Sequence, residues 1–503
     1  MRTAARFVFA ALFSVQILAA NIPAAEWPEI HPDAYVSKAP GAPWAPPQGK
    51  PSAAASIPLP LTVNGSTKTL SLRDLIELAL NTNPNLKSAW QMTRAQAATY
   101  GMAYSAYYPR IYYMSDGSFS RFLYNSIVPP GDDRLGSVNA GVGLHYILND
   151  FGRRKAQVRV ASEKLEAVNW AFDRKLQMVV FDVKSSFYAF AAARALLEAA
   201  IVNKTLAQTD LAAVRARMMR GLATLPDFKF AEERESRAEL EVDDAYAKVA
   251  VEQAALALAL GLPADSNLKT EGLELQAVPQ SLKMSVSDFI ARAVQSRPDL
   301  ASEGALLRER EAAKALAKAT WRPEIDVNGY YAETSWWLNL HHPTPVPAFG
   351  GSAVQTPGFY NTVQPFYSAG LSIRWDMFAG FKHLNDLRRA EAERQAQKET
   401  LQTRVLDTIA DVWRSYFVFQ AMQQKYRDAR RLLDAAAESH EMHVESYRQG
   451  LDTIVDLLAA QRDLAHARYT MIGATADALT ASAALDYAVG TSSSAPAESG
   501  TGR

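Results

Sequence analysis

The sequence predicts a mixed α and β membrane protein, with four antiparallel membrane-crossing strands joined to long antiparallel coiled-coil helices. Three observations predict it. The chain is internally duplicated, each copy carries two stretches in which apolar and polar residues alternate, and each then runs nearly 70 residues without glycine or proline.

The duplication shows on direct alignment. "SLRDLIELALNTNPNL" at 71–86 and "SVSDFIARAVQSRPDL" at 285–300 agree at six of sixteen positions, an offset of 214 that still holds between Pro109 and Pro323. From Ala140 onward the offset is 229: "AGVGL" lies over "AGLSI", Asp182 over Asp411, Gly221 over Gly450, Asp227 over Asp456 and Gly261 over Gly490. The difference between the offsets, 15 residues, is extra length in the second copy; it falls between about 120 and 140 of the first, where a loop absorbs it.

Taken in order, residues 1–25 read as a signal peptide: Arg2 and Arg6, the apolar run Phe7 to Ala20, then small residues at Ala24 and Ala25. Residues 26–68 form a proline- and alanine-rich extension, a composition that favours extended, weakly packed chain. Repeat 1 spans 69–262. Its first helix ends near "NTNP", because proline and the residue before it resist helix continuation, and a second helix reaches Pro109. Strands follow at about 110–121 and 137–148. In the latter, Val138, Ala140, Val142, Leu144, Tyr146 and Leu148 alternate with Asn139, Gly141, Gly143 and His145, whereas the former is marked by polar Asp116, Ser118 and Ser120.

A linker, 263–284, leads to repeat 2 at 285–490, with strands at about 323–333 and 368–378. Ile325, Val327, Gly329 and Tyr331 oppose Glu324, Asp326 and Asn328. Likewise Ala369, Leu371, Ile373, Trp375 and Met377 oppose Gly370, Ser372, Arg374 and Asp376. Each strand thus has one apolar and one wet face. The long glycine- and proline-free stretches, 153–220 and 381–449, would span roughly 100 Å as helices. They stop at Gly221 and Gly450, and a second helix returns from each to Gly261 or Gly490. The 11 alanines in 459–488 permit close antiparallel packing. Residues 491–503 read as a disordered tail.

Composition narrows the chemistry. No cysteine is present, which excludes disulfides, thiolate metal sites, thiol nucleophiles and a lipid on cysteine. Lys+Arg and Asp+Glu are both 53, so no charge excess points to nucleic acid. No later run reaches about 18 uninterrupted apolar residues, so no membrane-crossing helix is expected. "SHEMHVE" at 439–445 spaces His440 and His443 three apart instead of the four of a zinc protease, and "QGKP" lacks the spaced glycine of a phosphate loop. His341 and His342 lie in the proline-rich insertion, an expected extracellular loop. No nucleophile, base and orienter cluster emerges; an enzyme, a cofactor and a bound metal are not expected.

Four amphipathic strands of about ten residues suit an outer membrane but cannot close a barrel, and open edges in lipid leave backbone groups unpaired. Several chains must therefore share one barrel in outer-membrane lipid. Tyr107, Tyr108, Tyr112, Tyr113, Tyr330, Tyr331, Trp336 and Trp337 near the strand ends suit interfacial girdles. Arg153, Arg154, Lys155 and Lys382, just past the strands, would be solvated at the inner membrane face.

At this point the chain resembles the TolC-like outer-membrane efflux and export channels over 69–490. The most specific match is "YRQGLDTIVDLL", with its tyrosine, glycine three on, and "TIVD". The resemblance implies a homotrimer with a twelve-stranded barrel and a periplasmic tunnel of twelve helices. It also implies a passive duct fed by a periplasmic adaptor and an inner-membrane transporter, for drug or metal efflux or for type I secretion. The glycine turns would sit at the periplasmic tip. Asp456 takes the place of a constriction aspartate, while Asp227 and Tyr447 take those of partners in a gate hydrogen bond. A like-charged ring would attract cations and raise its own pKa. Arg220, Gly221, Leu222, Gly450 and Leu451 resemble the adaptor-docking tips. Two positions depart from the pattern: Asp452 replaces a gate arginine and Ala459 a second constriction aspartate. Asp452 also reads as a solvated turn residue, and Asp456 and Asp227 as ordinary helix starts. The rival to a duct is a soluble periplasmic coiled-coil scaffold or adaptor, which needs neither lipid-suited hairpins nor a girdle.

Overall fold

The computed structural model describes residues 36–42, 69–124, 131–266, 268–279, 284–340, 344–348, 351–355 and 358–491. The expected signal peptide, His341, His342 and almost all of the tail lie outside them. Repeat 1 comprises α1 (Leu72–Thr82), α2 (Pro84–Tyr104), β1 (Arg110–Tyr124), β2 (Gly131–Asn149), α3 (Arg153–Met219) and α4 (Leu225–Leu260). Repeat 2 comprises α5 (Val286–Ser296), α6 (Pro298–Ala319), β3 (Glu324–Leu340), β4 (Thr344–Ala348), β5 (Gly351–Gln355), β6 (Gly358–Arg374), α7 (Lys382–Arg448) and α8 (Ile454–Val489). Both long helices run 67 residues.

The repeated motifs are helix starts. Ser71 with Asp74 and Ser285 with Asp288 each form a capping box, in which the serine hydroxyl accepts the aspartate N–H and the carboxylate accepts the serine N–H. Asn83 then ends α1 and caps α2, its Oδ1 accepting the Asn85 N–H at 2.9 Å, so the chain bends at "NP" without stranding a donor. The main core lies where α1, α3, α4 and α8 meet, around Leu75, Phe172, Val180, Val183, Phe187, Leu256 and Leu479. One 18-residue window of α3 is apolar enough by length and composition to cross a bilayer, and 39% of it is buried inside the chain, part of it in this core. A smaller equivalent core joins α5, α7 and α8 around Val412, Phe419 and Leu485. Its helix α7 leaves Leu406, Trp413, Phe417 and Val418 exposed, an apolar face with no partner among the described residues.

The four long strands form one antiparallel sheet in the order β1-β2-β3-β6, so β2 and β3 join the repeats and β1 and β6 are edges. The strands run 15, 19, 17 and 17 residues, longer than the expected ten or so; pairing continues past the alternating segment into the loops. Within the long loop of repeat 2, β4 and β5 make a further hairpin. Trp375 and Met377, read as strand, lie beyond the end of β6.

Register places the faces. Arg110, His145, Asn328 and Gly370 form one cross-strand row, and Asp116, Asn139, Thr334 and Gln364 another. On this wet face the Asn139 amide donates to Asp116 at 3.0 Å, and Ser372 and Asn328 both donate to Asp326 at 2.6 Å. The opposite face exposes Ile111, Val142, Leu144, Tyr331, Val363, Leu371 and Ile373. The girdle is therefore split: Tyr113, Tyr331 and Trp337 share the apolar face, but Tyr112, Tyr330 and Trp336 fall on the wet one, because a period of two sends neighbours to opposite sides. Tyr112 lies across Gly143, where an added Cβ would come within 2.3 Å of its ring.

Two further expectations are corrected. In the extension, Val36 and Ser37 are buried, and the Trp90 indole donates to the Ser37 carbonyl at 2.8 Å; this part is packed against α2 and α3. Of the basic run after β2, Arg154 is buried, bonding Asp150 at 3.1 Å and the Ile147 carbonyl at 2.8 Å, and Arg153 pairs with Glu324. Strand ends leave carbonyls that need donors, and Arg154 supplies them.

Candidate functional site

The two hairpin tips are built alike. At the end of α3 the Leu222 N–H reaches back to the Arg217 carbonyl at 2.9 Å and the Gly221 N–H to that of Met218 at 2.9 Å; at the end of α7, Leu451 bonds Ser446 at 2.9 Å and Gly450 bonds Tyr447 at 3.1 Å. This closure requires a left-handed residue, and Gly221 (φ 72°) and Gly450 (φ 77°) provide it. Thr224 and Thr453 then cap α4 and α8.

The six-residue spacing from glycine to aspartate follows from this. Glycine ends one helix, threonine three places on begins the next, and aspartate three further completes a capping box. Thr453 Oγ1 accepts the Asp456 N–H at 3.2 Å, while Asp456 Oδ2 receives the Thr453 N–H at 3.1 Å and its hydroxyl at 2.5 Å. Asp227 does the same with Thr224 at 2.9 and 2.7 Å. Hydrogen bonds from the threonine hydroxyl and then the backbone hold both carboxyls below the usual carboxylate range. In the single chain that is opposite to the rise expected of a charged ring. The "TxxD" in both copies was a readable signal for these caps.

The other site residues find partners the sequence did not name. Tyr447 and Asp227 do not bond to each other; the Arg217 guanidinium donates to the Tyr447 hydroxyl and lies 5.0 Å from its ring centroid, and its charge also helps to lower Asp227. Asp452 is not simply solvated: its Oδ2 lies 2.7 Å from His443 Nδ1, tying the turn to the last turns of α7. Arg220 is exposed, and Leu222 and Leu451 are 66% and 76% exposed, apolar side chains on the outermost surface of the hairpins. A small cluster, Val214, Ala231 and Leu458 with Ile454, packs the two tips together.

Behind the tips a groove of about 680 Å³ opens between α4 and α8, lined among others by Lys229, Arg234, Arg237, Glu241, Arg462 and Tyr469. Arg234 crosses from α4 to donate to the Leu458 carbonyl of α8. Burial raises the neighbouring Asp210 carboxyl against the opposing pull of Gln461 and Arg234, and lowers Arg234 itself. Two turns further along α4, Tyr469 donates to Glu241 at 3.1 Å and is pushed up to about 12 by burial and that carboxylate.

A four-stranded sheet with one lipid-suited face, set on 67-residue helices that end in paired tips, defines a class: a subunit of an outer-membrane channel with periplasmic coiled coils. Comparison with known proteins agrees. The chain belongs to the outer membrane efflux protein family, whose model matches residues 75–262 and 289–491, and is accordingly an outer-membrane protein. It is 28% identical to Protein CyaE of Bordetella pertussis over 88% of each chain. It is 22% identical to the solvent efflux pump outer membrane protein SrpC of Pseudomonas putida, over 84% of this chain and 86% of that one. Among solved structures, the fold matches the outer-membrane channel OprN (TM-score 0.68, 18% identity, 84% of this chain and 90% of that chain). It also matches the open state of the Neisseria gonorrhoeae MtrE outer membrane channel (TM-score 0.68, 20% identity, 83% and 88%). The family consists of channel proteins, not enzymes.

Proposed function

We propose that three copies of this chain assemble into a passive exit duct that receives substrates from an inner-membrane transporter through a periplasmic adaptor. The observation that carries this reading is the sheet: among the described residues β1 and β6 each lack a second neighbour, and one face is apolar. Backbone groups left unpaired in lipid cost several kcal/mol each, about, so the edges must be met by further strands. Four strands per chain keep the antiparallel alternation when β6 of one copy meets β1 of the next, and three copies give twelve strands. The unpartnered face of α7 supports the same association in the helical part. A soluble scaffold has no use for Leu371 and Ile373 exposed on a sheet.

In this assembly the tips face the adaptor. Gly221, Leu222, Gly450 and Leu451, with Arg220, form the docking surface, supported by the exposure of the two leucines. Asp456 serves as the constriction charge: one carboxylate oxygen is bound by Thr453, which fixes its rotamer, while the group stays exposed. Asp227, Tyr447 and Asp452 set the gate around it. The test is single-channel recording in planar bilayers of wild type and Asp456→Ala. Cation-selective steps whose selectivity weakens in the variant are expected; selectivity unchanged by the substitution would place the constriction elsewhere.

A further inference from the structure

β1 and β6 end the sheet, and the duplication dictates how such edges meet. Offsets of 214 for β1 and 229 for β2 carry the pairs of the first hairpin onto the second: Arg110 opposite His145 becomes Glu324 opposite Arg374, and Met114 opposite Gly141 becomes Asn328 opposite Gly370. Both are observed pairs. The repeats therefore share strand register as well as sequence, and the junction of β2 with β3 is a pattern for a seam between β6 of one copy and β1 of the next.

The end of β6 points to the same neighbour. β2 pairs with β1 only as far as His145, but against β3 it continues to Asn149. β6 stops at Arg374, the counterpart of His145, and leaves Trp375 and Met377 exposed although they continue its alternation. Carried over by the same offsets, His145 opposite Asn328 becomes Arg374 opposite Met114 of the next copy. Likewise Ile147 opposite Asp326 becomes Asp376 opposite Tyr112, and Gly141 opposite Ala332 becomes Gly370 opposite Ser118.

At this register the edge charges are complementary. Asp376 lies diagonal to Arg110 of the next copy, and Arg374 diagonal to Asp116, a spacing of about 7–8 Å that long side chains cross. Such a diagonal brings His145 within 3.7 Å of Asp326 at the junction. In the single chain, among the described residues, Arg110 meets the Tyr112 ring at 5.9 Å and Asp116 accepts the Asn139 amide, while Arg374 and Asp376 form no ion pair. The junction has its signs the other way round, with the acid Glu324 on β3 and the base Arg153 just past β2. Lys382 stands where Arg153 does, so without Asp376 two cations would meet at the seam.

We infer that β6 of one copy meets β1 of the next with Gly370 opposite Ser118, and that Asp376 with Arg110 and Arg374 with Asp116 are the charge pairs that fix this register and fit the edge to a second copy of this chain. This rests on the duct reading above, and it adds the residues that specify the seam. A slip of two residues in either direction keeps one charge pair and parts the other. A slip of one turns the apolar face of the incoming strand to the wet side.

The chain lacks cysteine, so register can be read by cross-linking in intact outer membranes. Gly370→Cys with Ser118→Cys is the matched pair; Gly370→Cys with Ser120→Cys and Ser368→Cys with Ser118→Cys are its two-residue slips. At the corresponding junction pair a Cβ on Gly141 would lie 2.5 Å from that of Ala332, and one on Gly370 meets nothing within 4 Å, so the matched cysteines face each other closely. Mild oxidation should give about tenfold more covalent trimer from the matched pair than from either slip on denaturing, non-reducing gels. Arg110→Asp or Asp376→Arg alone should lower the trimer-to-monomer ratio in detergent about tenfold, because the loss recurs at three seams, and the double exchange should restore it. Arg374→Asp with Asp116→Arg should behave alike. A slipped pair that cross-links best, or double exchanges no better than the singles, would overturn the inference while conducting trimers keep the duct. Monomeric, non-conducting protein with no covalent trimer from any pair would overturn both.

Discussion

Asp456 caps α8 and is proposed as the pore charge, and a pair of substitutions separates the two roles. Thr453→Ala removes the hydroxyl that accepts the Asp456 N–H at 3.2 Å and donates to its carboxylate at 2.5 Å, but leaves the charge in place. Loss of a threonine N-cap costs about 1 kcal/mol. That is roughly a fivefold shift in local opening of the first turn of α8. Asp456→Asn does the converse: it keeps the size of the side chain and the threonine cap but removes the negative charge. In bilayers under a salt gradient, the reversal potential of Asp456→Asn should collapse toward the non-selective value. That of Thr453→Ala should stay near wild type, while amide exchange over 454–458 accelerates about fivefold. Equal loss of selectivity in both variants would mean that the carboxylate acts through the fold of the tip; retained selectivity in Asp456→Asn would remove it from the pore lining altogether.

Other expectations concern the docking tip, the helix hub and the sheet. Gly450→Val places a β-branched residue at φ 77°, which costs about 1–2 kcal/mol, yet its Cβ meets nothing within 4 Å. Trimers should persist on semi-native gels while export fails, and normal export would argue against docking there. Arg297, with a side chain 3% exposed, holds Asp299 at 2.7 Å, Asp411 at 3.4 Å and the Ala488 carbonyl at 3.3 Å. Arg297→Ala should lower unfolding stability by about 3–5 kcal/mol in thermal or denaturant melts, since a half-buried carboxylate loses its partner. Burial alone would push Asp299 up, but Arg297 and Arg174 together hold it below its ordinary value. Its stabilisation is therefore fully present above the unfolded carboxylate value of about 3.9 and lost as pH falls through the lower folded one. Melting temperature should hold down to about pH 4 and drop beneath it, and in Arg297→Ala, where that guanidinium no longer offsets the burial of Asp299, this acid-side drop should shrink. Finally, Val363→Lys and Gln364→Lys alter neighbouring residues on opposite faces of β6. The first should block insertion into vesicles, at a cost of about 2–4 kcal/mol near mid-membrane, whereas the second should fold; equal outcomes would contradict the assignment of faces.

Much of this architecture is written locally. Helix ends at "NTNP" and "QSRP", the left-handed glycines at 221 and 450, and the alternation in 138–148 and 324–331 depend on backbone geometry within a few residues, so single-sequence patterns locate them. The capping boxes were equally local, present as "SLRD", "SVSD", "TLPD" and "TIVD", and they explain the glycine-to-aspartate spacing without any reference to a pore. Strand length was less legible, because pairing with a neighbour continues a strand through residues whose own pattern has faded.

The sequence by itself determined the duplication, the two 67-residue helices, the wet and apolar faces of the strands and the positions of the tips, because each follows from short-range periodicity and turn chemistry. Only the tertiary structure decided that β2 pairs with β3, that Tyr112 and Tyr330 turn to the wet face, that Arg154 is buried, that Tyr447 meets Arg217 and that Asp452 meets His443. These contacts join residues up to 230 positions apart. Their partners are chosen by how two hairpins and two coiled coils settle against each other, and the energy that selects them is shared across the interface instead of residing in any one segment.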